Sequence, residues 1–276
     1  MADESTYFSD NKRLWEAWTE IHTSGEFYDV ESFVDGSDPV RIEPWEREEV
    51  GEVAGKSLLH VQCHFGLDSL SWVRLGAEVT GVDFSPKALA AARELAARTG
   101  LQARFIESSV YALPQVLDQR FDVVYTSRGV LGWLPSVERW AEALARYVKP
   151  GGFLYVHEIH PVMQAFDDEQ GSSVEPRLRY DYWEGDVLTF EVEGSYADPD
   201  ADVDAEWEHG WNHGLGEIVT ALVRRGLRLD FLHEHRWLDW PLSWLERKEN
   251  GTYGWPEGQE GTLPLMFSLK ASRPAE

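Results

Sequence analysis

A short turn between two apolar segments constrains the fold of this chain more than any other feature. Residues 57–61 (SLLHV) are followed by the turn 62–66 (QCHFG), an amphipathic stretch from Leu67 to Leu75, and a second apolar segment that ends at Asp83. Strand, turn, helix, strand and terminal acid are the pattern of a nucleotide-binding βαβ unit. The terminal carboxylate accepts hydrogen bonds from ribose hydroxyls, and the helix N-terminus suits an anionic group.

The turn itself differs from a dinucleotide-binding turn. Such a turn carries three glycines, whereas only Gly66 remains here, with Gln62 and His64 at the positions of the first two. Side chains at these positions leave the backbone less room beside a pyrophosphate. The turn therefore argues against NAD or FAD as the cofactor.

Four motifs in order resemble those of the class I S-adenosylmethionine-dependent methyltransferases. They are LLHVQCHFGLDSL, VTGVDFSP, FDVVYTSRGVLGWL and YVKPGGFLYVHEIHP, spread over residues 56–161, with a weaker similarity over 214–270. The QCHFG form resembles a bacterial branch that acts on small molecules. The resemblance implies S-adenosyl-L-methionine as cofactor and S-adenosyl-L-homocysteine as product. The chain departs from the family at His60 and Ser109, where acidic residues are common.

The resemblance also implies the fold class. We expect an α/β, Rossmann-like, doubly wound sheet of seven mostly parallel strands, with the last strand antiparallel. Ser85, Pro86 and Gly100 are a typical N-cap, first residue and stop of one helix of this core. The other predicted elements are strands at 103–106, 121–126, 153–159, 229–237 and 265–270, helices at 137–147 and 215–225, and an ordered loop at 240–264.

The chain divides into three parts. Residues 1–55 precede the first strand, and apolar residues at helical spacing predict a helix at 11–23 within an N-terminal cover. Residues 56–160 and 213–276 carry the regular alternation of the core. Residues 161–212 interrupt it, and we expect a β-rich cap insertion over the substrate, because so long an excursion is usually functional or disordered. Alternation around Gly185 predicts a β-hairpin within this cap.

Composition limits the partners. The net charge of −24 argues against nucleic acid and anionic membrane surfaces. A single cysteine, Cys63, excludes a disulfide framework and favours a reducing cytoplasm. No signal peptide pattern and no apolar run of the roughly 20 residues needed to span a bilayer is visible. We expect a cytoplasmic protein with a small-molecule substrate, and a homodimer through the N-terminal helix or hairpin edge is compatible with the sequence.

Cofactor contacts are expected from the turn, the acid and the ends of later strands. The turn would hold the methionine part, Asp83 would bind both ribose hydroxyls, and Phe84 would stack on adenine, which the resemblance also places beside Ser109 and Val110. Arg128 could pair with a carboxylate of the cofactor or substrate, or form a structural salt bridge. The predicted cofactor-binding residues are Gln62, Cys63, His64, Phe65, Gly66, Asp83, Phe84, Ser85, Ser109, Val110, Thr126, Ser127 and Arg128.

Methyl transfer from a sulfonium requires alignment and, for an O–H or N–H acceptor, removal of one proton. Glu158 and His160, on one face of the fifth strand, and His213 are the predicted catalytic residues, with His22 as a competitor. No tight ligand spacing predicts a metal site. The predicted substrate-binding residues are Trp18, His22, Phe27, Tyr28, Trp133, Tyr182, Trp183 and Trp211.

The sequence therefore predicts methyl transfer from S-adenosylmethionine to a small aromatic or heterocyclic acceptor. Three alternatives stay open: a cofactor-binding enzyme of another reaction class such as a cyclase, an NAD(P)-dependent oxidoreductase, and a non-catalytic cofactor-binding module. The identity of the acceptor atom does not follow from the sequence, because C-, N- and O-methylation use the same cofactor scaffold.

Overall fold

The computed structural model describes residues 3–167, 176–249, 251–259 and 262–275. Its helices are α1 (Glu4–Ser24), α2 (Val30–Asp35), α3 (Pro44–Val50), α4 (Leu67–Arg74), α5 (Pro86–Thr99), α6 (Val137–Ala145) and α7 (Leu215–Arg224). Its strands are β1 (Ser57–Val61), β2 (Glu78–Asp83), β3 (Arg104–Glu107), β4 (Phe121–Ser127), β5 (Val148–Ile159), β6 (Leu188–Glu191), β7 (Trp207–Gly210), β8 (Arg228–His235), β9 (Trp237–Leu238), β10 (Glu246–Arg247), β11 (Tyr253–Gly254) and β12 (Met266–Ser272).

The main sheet has seven strands in the order β3-β2-β1-β4-β5-β12-β8. Strands β1 to β5 pair in parallel, and β12 is antiparallel to both of its neighbours, β5 and β8. This confirms the predicted mostly parallel sheet with an antiparallel last strand. The strand order reverses between β1 and β4, and the crevice beyond the carboxyl ends at such a point is where α/β sheets bind ligands.

Helices cover both faces of this sheet, so the central strands are buried on both sides. The adjacent residues Leu58 and Leu59 of β1 are both fully buried, but they belong to different core clusters. Leu59 packs with α6 and α7 through residues such as Trp140 and Leu222, whereas Leu58 packs with Trp72 of α4. The period of two along a strand therefore explains the continuous apolar sequences.

Helix α5 follows its local capping signals. The Ser85 hydroxyl accepts the backbone N–H of Ala88 at 3.0 Å, Pro86 opens the helix, and Gly100 ends it with a φ of 69°. The predicted helix bounds are confirmed, because caps and proline act within one turn of the chain. Helix α1 is longer than the predicted N-terminal helix because Asp3 provides an N-cap through Ser5 and Thr6.

The predicted β-hairpin around Gly185 is wrong. Strand β6 pairs antiparallel with β7, with Leu188 opposite Gly210, so the pairing partner lies far along the chain. This β6–β7 ribbon docks on α1, where the Asn11 amide exchanges two 2.8 Å hydrogen bonds with the backbone of His209. Local alternation predicted a strand but could not identify its partner.

Residues 240–264, predicted as an ordered loop, contribute β10 and β11 to a small three-stranded sheet with β9. Trp244 and Trp255 pack there at 5.0 Å between ring centroids, and both are buried with Leu265 and Met266. In the part of the chain that the structure describes, no helix combines the length and apolar character needed to cross a membrane.

Candidate functional site

A large cavity of about 1450 Å³ opens at the carboxyl ends of β1, β2 and β4. Its walls come from α1, the turn after β1, the segments after β2, β3 and β4, the β6–β7 ribbon, and residues 238–242. Typical sites for one small molecule enclose about 300–1,000 Å³. This cavity therefore has room for two small molecules side by side.

The turn after β1 keeps the backbone shape of a glycine-rich turn without all of its glycines. Gln62 and His64 have φ values of 60° and 49°, and Gly66 has 77°. A non-glycine residue in this left-handed region costs roughly 1–2 kcal/mol. At Gly66 an added Cβ would lie 3.0 Å from the Ala92 Cβ and from the Phe105 ring, so that position also needs glycine for space.

Asp83, at the end of β2, faces this turn. Its carboxylate accepts the backbone N–H groups of His64 at 2.8 Å and of Ser85 at 2.9 Å. Burial raises the pKa of Asp83 to about 6, against the opposing effect of the backbone hydrogen bonds. Each carboxylate oxygen has more than one acceptor position. The group can therefore still accept hydrogen bonds from two vicinal hydroxyls of a ligand.

Most predicted cofactor-binding residues come together around the cavity. Ser85 and Thr126 are exceptions: the Ser85 hydroxyl caps α5, and Thr126 is fully buried in β4. Burial, with Asp83 nearby, holds the pKa of the Cys63 thiol well above its ordinary value, so the thiol stays protonated. The predicted cofactor residues that line the cavity are Gln62, Cys63, His64, Phe65, Gly66, Asp83, Phe84, Ser109, Val110, Ser127 and Arg128.

The cavity wall fits an amino-acid nucleoside such as S-adenosylmethionine. Gln62 Oε1 and His64 Nδ1 are buried polar atoms for which the described residues supply no hydrogen-bond partner. Both residues lie in the turn, next to the acid that suits a ribose. Ser109 and the apolar Val110 line the cavity beyond β3. A polar turn, an acid and a partly apolar slot match the three parts of that cofactor.

Arg128 forms a structural ion-pair network. Its guanidinium lies 3.3 Å from Glu46 and 3.3 Å from Asp239, and Glu46 also accepts the Tyr125 hydroxyl. Burial raises the pKa of Glu46 to about 7, although Arg128 and Tyr125 oppose that shift. Burial likewise raises the pKa values of Asp239 and Asp68. The salt-bridge interpretation of Arg128 is therefore the one that the contacts support.

Each of the three predicted catalytic residues has a partner elsewhere. Glu158 is 2% exposed, and its carboxylate accepts the backbone N–H groups of residues 129–131 at 2.7, 2.8 and 2.9 Å. His160 Nε2 lies 3.0 Å from Glu234, and His213 Nε2 lies 2.6 Å from a backbone carbonyl oxygen. None of the three is among the described residues that line the cavity. Their catalytic roles stay predictions, and these contacts indicate structural roles.

The predicted aromatic substrate residues separate into two groups. Trp18, Phe27, Tyr28, Trp133 and Trp211 line the cavity. Tyr182 accepts the backbone N–H of Leu215 through its hydroxyl, and Trp183 is 64% exposed; neither lines the cavity.

Trp15 and Tyr196 line the cavity as well, although the sequence analysis did not predict that they would. The Trp15 ring centroid lies 5.2 Å from those of Trp18 and Trp133. The spacing of three between Trp15 and Trp18 on one helix face was the available signal. No such signal marked Tyr196, whose hydroxyl meets the Tyr28 hydroxyl at 2.5 Å.

His22 packs against the rings of Trp15, Trp18 and Tyr196 and is not part of the cavity lining. Its Nδ1 is 2.8 Å from His64 Nε2, and its Nε2 is 2.7 Å from Ser195 Oγ. Burial lowers the pKa of His22 to about 4 and that of His64 well below its ordinary value. Sequence spacing gave no indication of this histidine pair. Over the described ranges, no group of three or more His, Cys, Asp or Glu side chains is placed to hold a metal ion.

Comparisons with known proteins agree with this geometry. Residues 59–156 match a family model described as a methyltransferase domain. A ubiquinone biosynthesis O-methyltransferase from Shewanella pealeana is 34% identical over 116 residues, which are 42% of this chain and 49% of that protein. The chain thus spans about half the length of the curated relatives it matches.

Solved structures share the fold. An S-adenosylmethionine-dependent methyltransferase from Mesorhizobium loti aligns with a TM-score of 0.57 and 22% identity, over 83% of this chain and 96% of that one. A glycopeptide N-methyltransferase solved with S-adenosylmethionine aligns with a TM-score of 0.51 and 17% identity, over 82% and 90% of the two chains. Residues 59–156 therefore match a methyltransferase domain, and the sheet that carries them has the fold of these solved structures.

Proposed function

We propose that this chain transfers the methyl group of S-adenosylmethionine to a small aromatic acceptor. The observation that carries the proposal is the contact between the cofactor turn and a wall of indole rings. The Trp15 ring lies 5.0 Å from the His64 ring, and Trp133 and Trp18 continue that wall. An aromatic molecule stacked there would lie next to the turn that holds the cofactor.

The chain's own residues would hold the cofactor in the following way. Asp83 accepts hydrogen bonds from the ribose hydroxyls, and the turn at residues 62–66 holds the methionine part. Phe84, Ser109 and Val110 take the adenine. When bound, the cofactor supplies an activated methyl group on a sulfonium, so the protein contributes mainly alignment and exclusion of water.

The acceptor class rests on the aromatic lining and on charge. Offset and edge-to-face contacts between rings contribute about 0.5–1.5 kcal/mol each beyond area burial. A net charge of −24 disfavours nucleic acid as the acceptor. The curated relatives are named O-methyltransferases, which favours an oxygen acceptor here. A heterocyclic acceptor is the nearest alternative.

The three-part division belongs to the same proposal. Residues 1–55 act as a cover and residues 161–212 as a cap, because α1 and the β6–β7 ribbon pack together beside the cavity. Trp18 Nε1 donates a hydrogen bond of 2.9 Å to the Gly194 carbonyl, which connects the N-terminal cover to the cap. A cytoplasmic location and a homodimer remain predictions from the sequence.

Calorimetric titration with S-adenosylmethionine, S-adenosylhomocysteine and NAD tests the cofactor. We expect micromolar binding of the first two and none of NAD. Asp83→Asn should lose this binding, whereas Glu78→Gln, at the exposed start of the same strand, should keep it. NAD binding in place of the other two would favour the oxidoreductase alternative and overturn the proposal.

An acceptor screen then tests the reaction. Phenols, catechols and hydroxylated heterocycles are incubated with S-adenosylmethionine, and both S-adenosylhomocysteine and methylated product are quantified by mass spectrometry. Equal amounts of the two establish methyl transfer. Cofactor binding without any S-adenosylhomocysteine across the screen would favour a cofactor-binding module or a reaction of the cyclase type.

A further inference from the structure

His64 has a backbone conformation that a glycine would adopt without strain. Its φ of 49° lies in the left-handed region, as does the 60° of Gln62 in the same turn. Both side chains line the cavity. Strained backbone conformations cluster at ligand sites, where the strain accompanies a function. The strain is therefore consistent with a ligand-binding role for these two side chains.

His64 is the inner end of a chain of hydrogen bonds. Its Nε2 lies 2.8 Å from His22 Nδ1, and His22 Nε2 lies 2.7 Å from Ser195 Oγ. His22 is 0% exposed and Ser195 is 4% exposed, so water has little access to the chain. The other ring nitrogen of His64, Nδ1, is buried and has no hydrogen-bond partner in the described parts of the structure. This nitrogen is therefore the unpartnered end of the chain of hydrogen bonds.

The direction of the chain decides what Nδ1 offers. Each contact between two neutral imidazoles needs one N–H donor and one bare nitrogen acceptor. When His22 donates through Nε2–H to Ser195, its Nδ1 accepts the Nε2–H of His64, and His64 Nδ1 keeps a free lone pair. Burial lowers the pKa values of both histidines, which keeps the two rings neutral near pH 7. A neutral ring with a free lone pair can act as a base.

We propose that His64 Nδ1 accepts the proton of an aromatic hydroxyl on the methyl acceptor, and that His22 and Ser195 are the positioning residues that orient its ring. This inference rests on the proposed function and assigns the proton removal which that reaction needs. The acceptor O–H bond breaks, its electron pair stays on the oxygen, and the proton forms an N–H bond at Nδ1. The oxygen forms the new O–CH₃ bond as the methyl–sulfur bond of the sulfonium breaks, and the electron pair of that bond stays on the sulfur of the leaving S-adenosylhomocysteine. The imidazolium donates its Nε2–H to His22 and later releases its proton to water.

The surroundings of His64 suit a flat, weakly acidic hydroxyl compound. The rings of Trp15 and Phe65 lie 5.0 and 4.8 Å from that of His64. The nearby Tyr28 and Tyr196 hydroxyls form a hydrogen bond with each other at 2.5 Å. Burial raises their pKa values, so both hydroxyls stay protonated and neither can serve as the base. The carboxylate of Asp83 contacts His64 through its backbone N–H. His64 is therefore the base that the cofactor turn presents to this aromatic wall.

Nitrophenols report the proton transfer directly, because their phenolate and phenol forms absorb at different wavelengths. We would titrate the full chain, saturated with S-adenosylhomocysteine, with a series of nitrophenols at a pH below their solution pKa. The wild type should bind the most acidic members of the series in the phenolate form, because the paired phenolate must offset the burial that lowers the pKa of His64. His64→Gln should bind them as phenols and should lower kcat for their methylation by about 100-fold.

Two further variants separate positioning from folding. Ser195→Ala removes one hydroxyl at the far end of the chain and should lower kcat about tenfold, with little change in acceptor KM. His233→Gln is the matched control, because His233 is half-exposed on β8 and pairs with Glu49. The control should leave the phenolate signal and kcat unchanged.

Several results would overturn the inference. These are binding of every nitrophenol to the wild type as the phenol, no binding of any of them, or an unchanged phenolate signal in His64→Gln. Loss of the signal in His160→Gln instead would assign the base to the fifth strand. If S-adenosylhomocysteine failed to bind the wild type, the proposed function would fall first. If S-adenosylhomocysteine bound the wild type normally and His64→Gln kept the wild-type phenolate signal and kcat, only the assignment of the base would be overturned.

Discussion

The carboxylate of Asp83 accepts the backbone N–H of His64 at 2.8 Å, which joins the end of β2 to the turn after β1. The contact orients a buried acid and places a histidine ring beside it. Cofactor binding and proton removal would therefore depend on one local structure. The two effects can be measured separately, because the Asp83 carboxylate would act on cofactor binding and the His64 ring on proton removal.

Affinity for S-adenosylhomocysteine should fall as the pH drops through about 6, the value to which burial raises the pKa of Asp83. The ionised carboxylate accepts two hydroxyl hydrogen bonds, and protonation converts one oxygen into a donor. A loss of about 10–100-fold below that pH corresponds to about 1.5–3 kcal/mol for hydrogen bonds to a charged group. Calorimetry across the range checks this, and a flat profile would contradict the assigned role.

Glu46 should make the protein less stable as pH rises. Its native pKa of about 7 lies above the ordinary 4.5, so the folded state holds a proton that the unfolded state releases. The full contribution is present below pH 4.5 and is lost as pH rises through about 7. The shift corresponds to a loss on the order of 3 kcal/mol.

Urea unfolding of Glu46→Gln against wild type measures this effect. The variant should gain stability relative to wild type as pH rises over that window. Glu48→Gln, on the exposed face of the same helix, is the control and should follow the wild-type profile. Parallel profiles for wild type and Glu46→Gln would show that Glu46 is ionised throughout.

Glu158→Gln should unfold the protein more easily without changing the pH profile of methyl transfer. The carboxylate accepts four backbone N–H groups, from residues 129–131 and Ile159. An amide offers one acceptor oxygen and opposes the remaining donors, at about 2–4 kcal/mol in the free energy of unfolding. Denaturant unfolding checks the loss, with exposed Glu94→Gln as control. A changed pH profile with intact stability would restore Glu158 as a catalytic candidate.

Above pH 7, where Glu46 is ionised, Arg128→Met should destabilise the fold by about 3–5 kcal/mol, because Glu46 and Asp239 would lose the cation that compensates their buried charge. Thermal and urea unfolding measure this loss, and exposed Arg224→Met provides the control. The alternative partner is a carboxylate of the cofactor. Weaker binding of S-adenosylhomocysteine with unchanged stability would support that alternative.

Trp133→Leu should raise the acceptor KM by about tenfold, while the affinity for S-adenosylhomocysteine stays within about threefold. Trp133 lines the cavity and contacts Trp15 and Trp18. Trp183→Leu is a matched control, because Trp183 is 64% exposed and lies outside the cavity lining. Steady-state kinetics with one acceptor from the screen distinguishes the two. Equal effects would mean that the acceptor reaches the surface of the cap.

Local sequence rules predicted the core well because they act over a few residues. Ser85, Pro86 and Gly100 bounded α5 through one capping hydrogen bond, a fixed φ and a positive φ. The continuous apolar run of β4 followed from burial on both faces, which Val123 and Val124 show by packing in opposite clusters. Capping depends only on residues within one turn of the helix end. A strand that is buried on both faces has consecutive apolar residues, which are visible in the sequence.

The candidate site divides along the same line. Asp83 and the turn at residues 62–66 were predicted, because a βαβ unit brings them together over a short stretch of chain. The catalytic predictions at Glu158 and His160 relied on their position at a strand end. That position says nothing about whether a side chain meets a ligand, backbone N–H groups or another carboxylate.

By itself, the sequence determined the α/β core, the order of its elements and the turn between β1 and α4, since periodicity and capping are local. Only the tertiary structure decided that β6 pairs with β7, that Glu158 binds the backbone of residues 129–131, and that His22 meets His64. These contacts join residues far apart in the chain. Their partners are selected by packing of the whole molecule, which no short sequence pattern encodes.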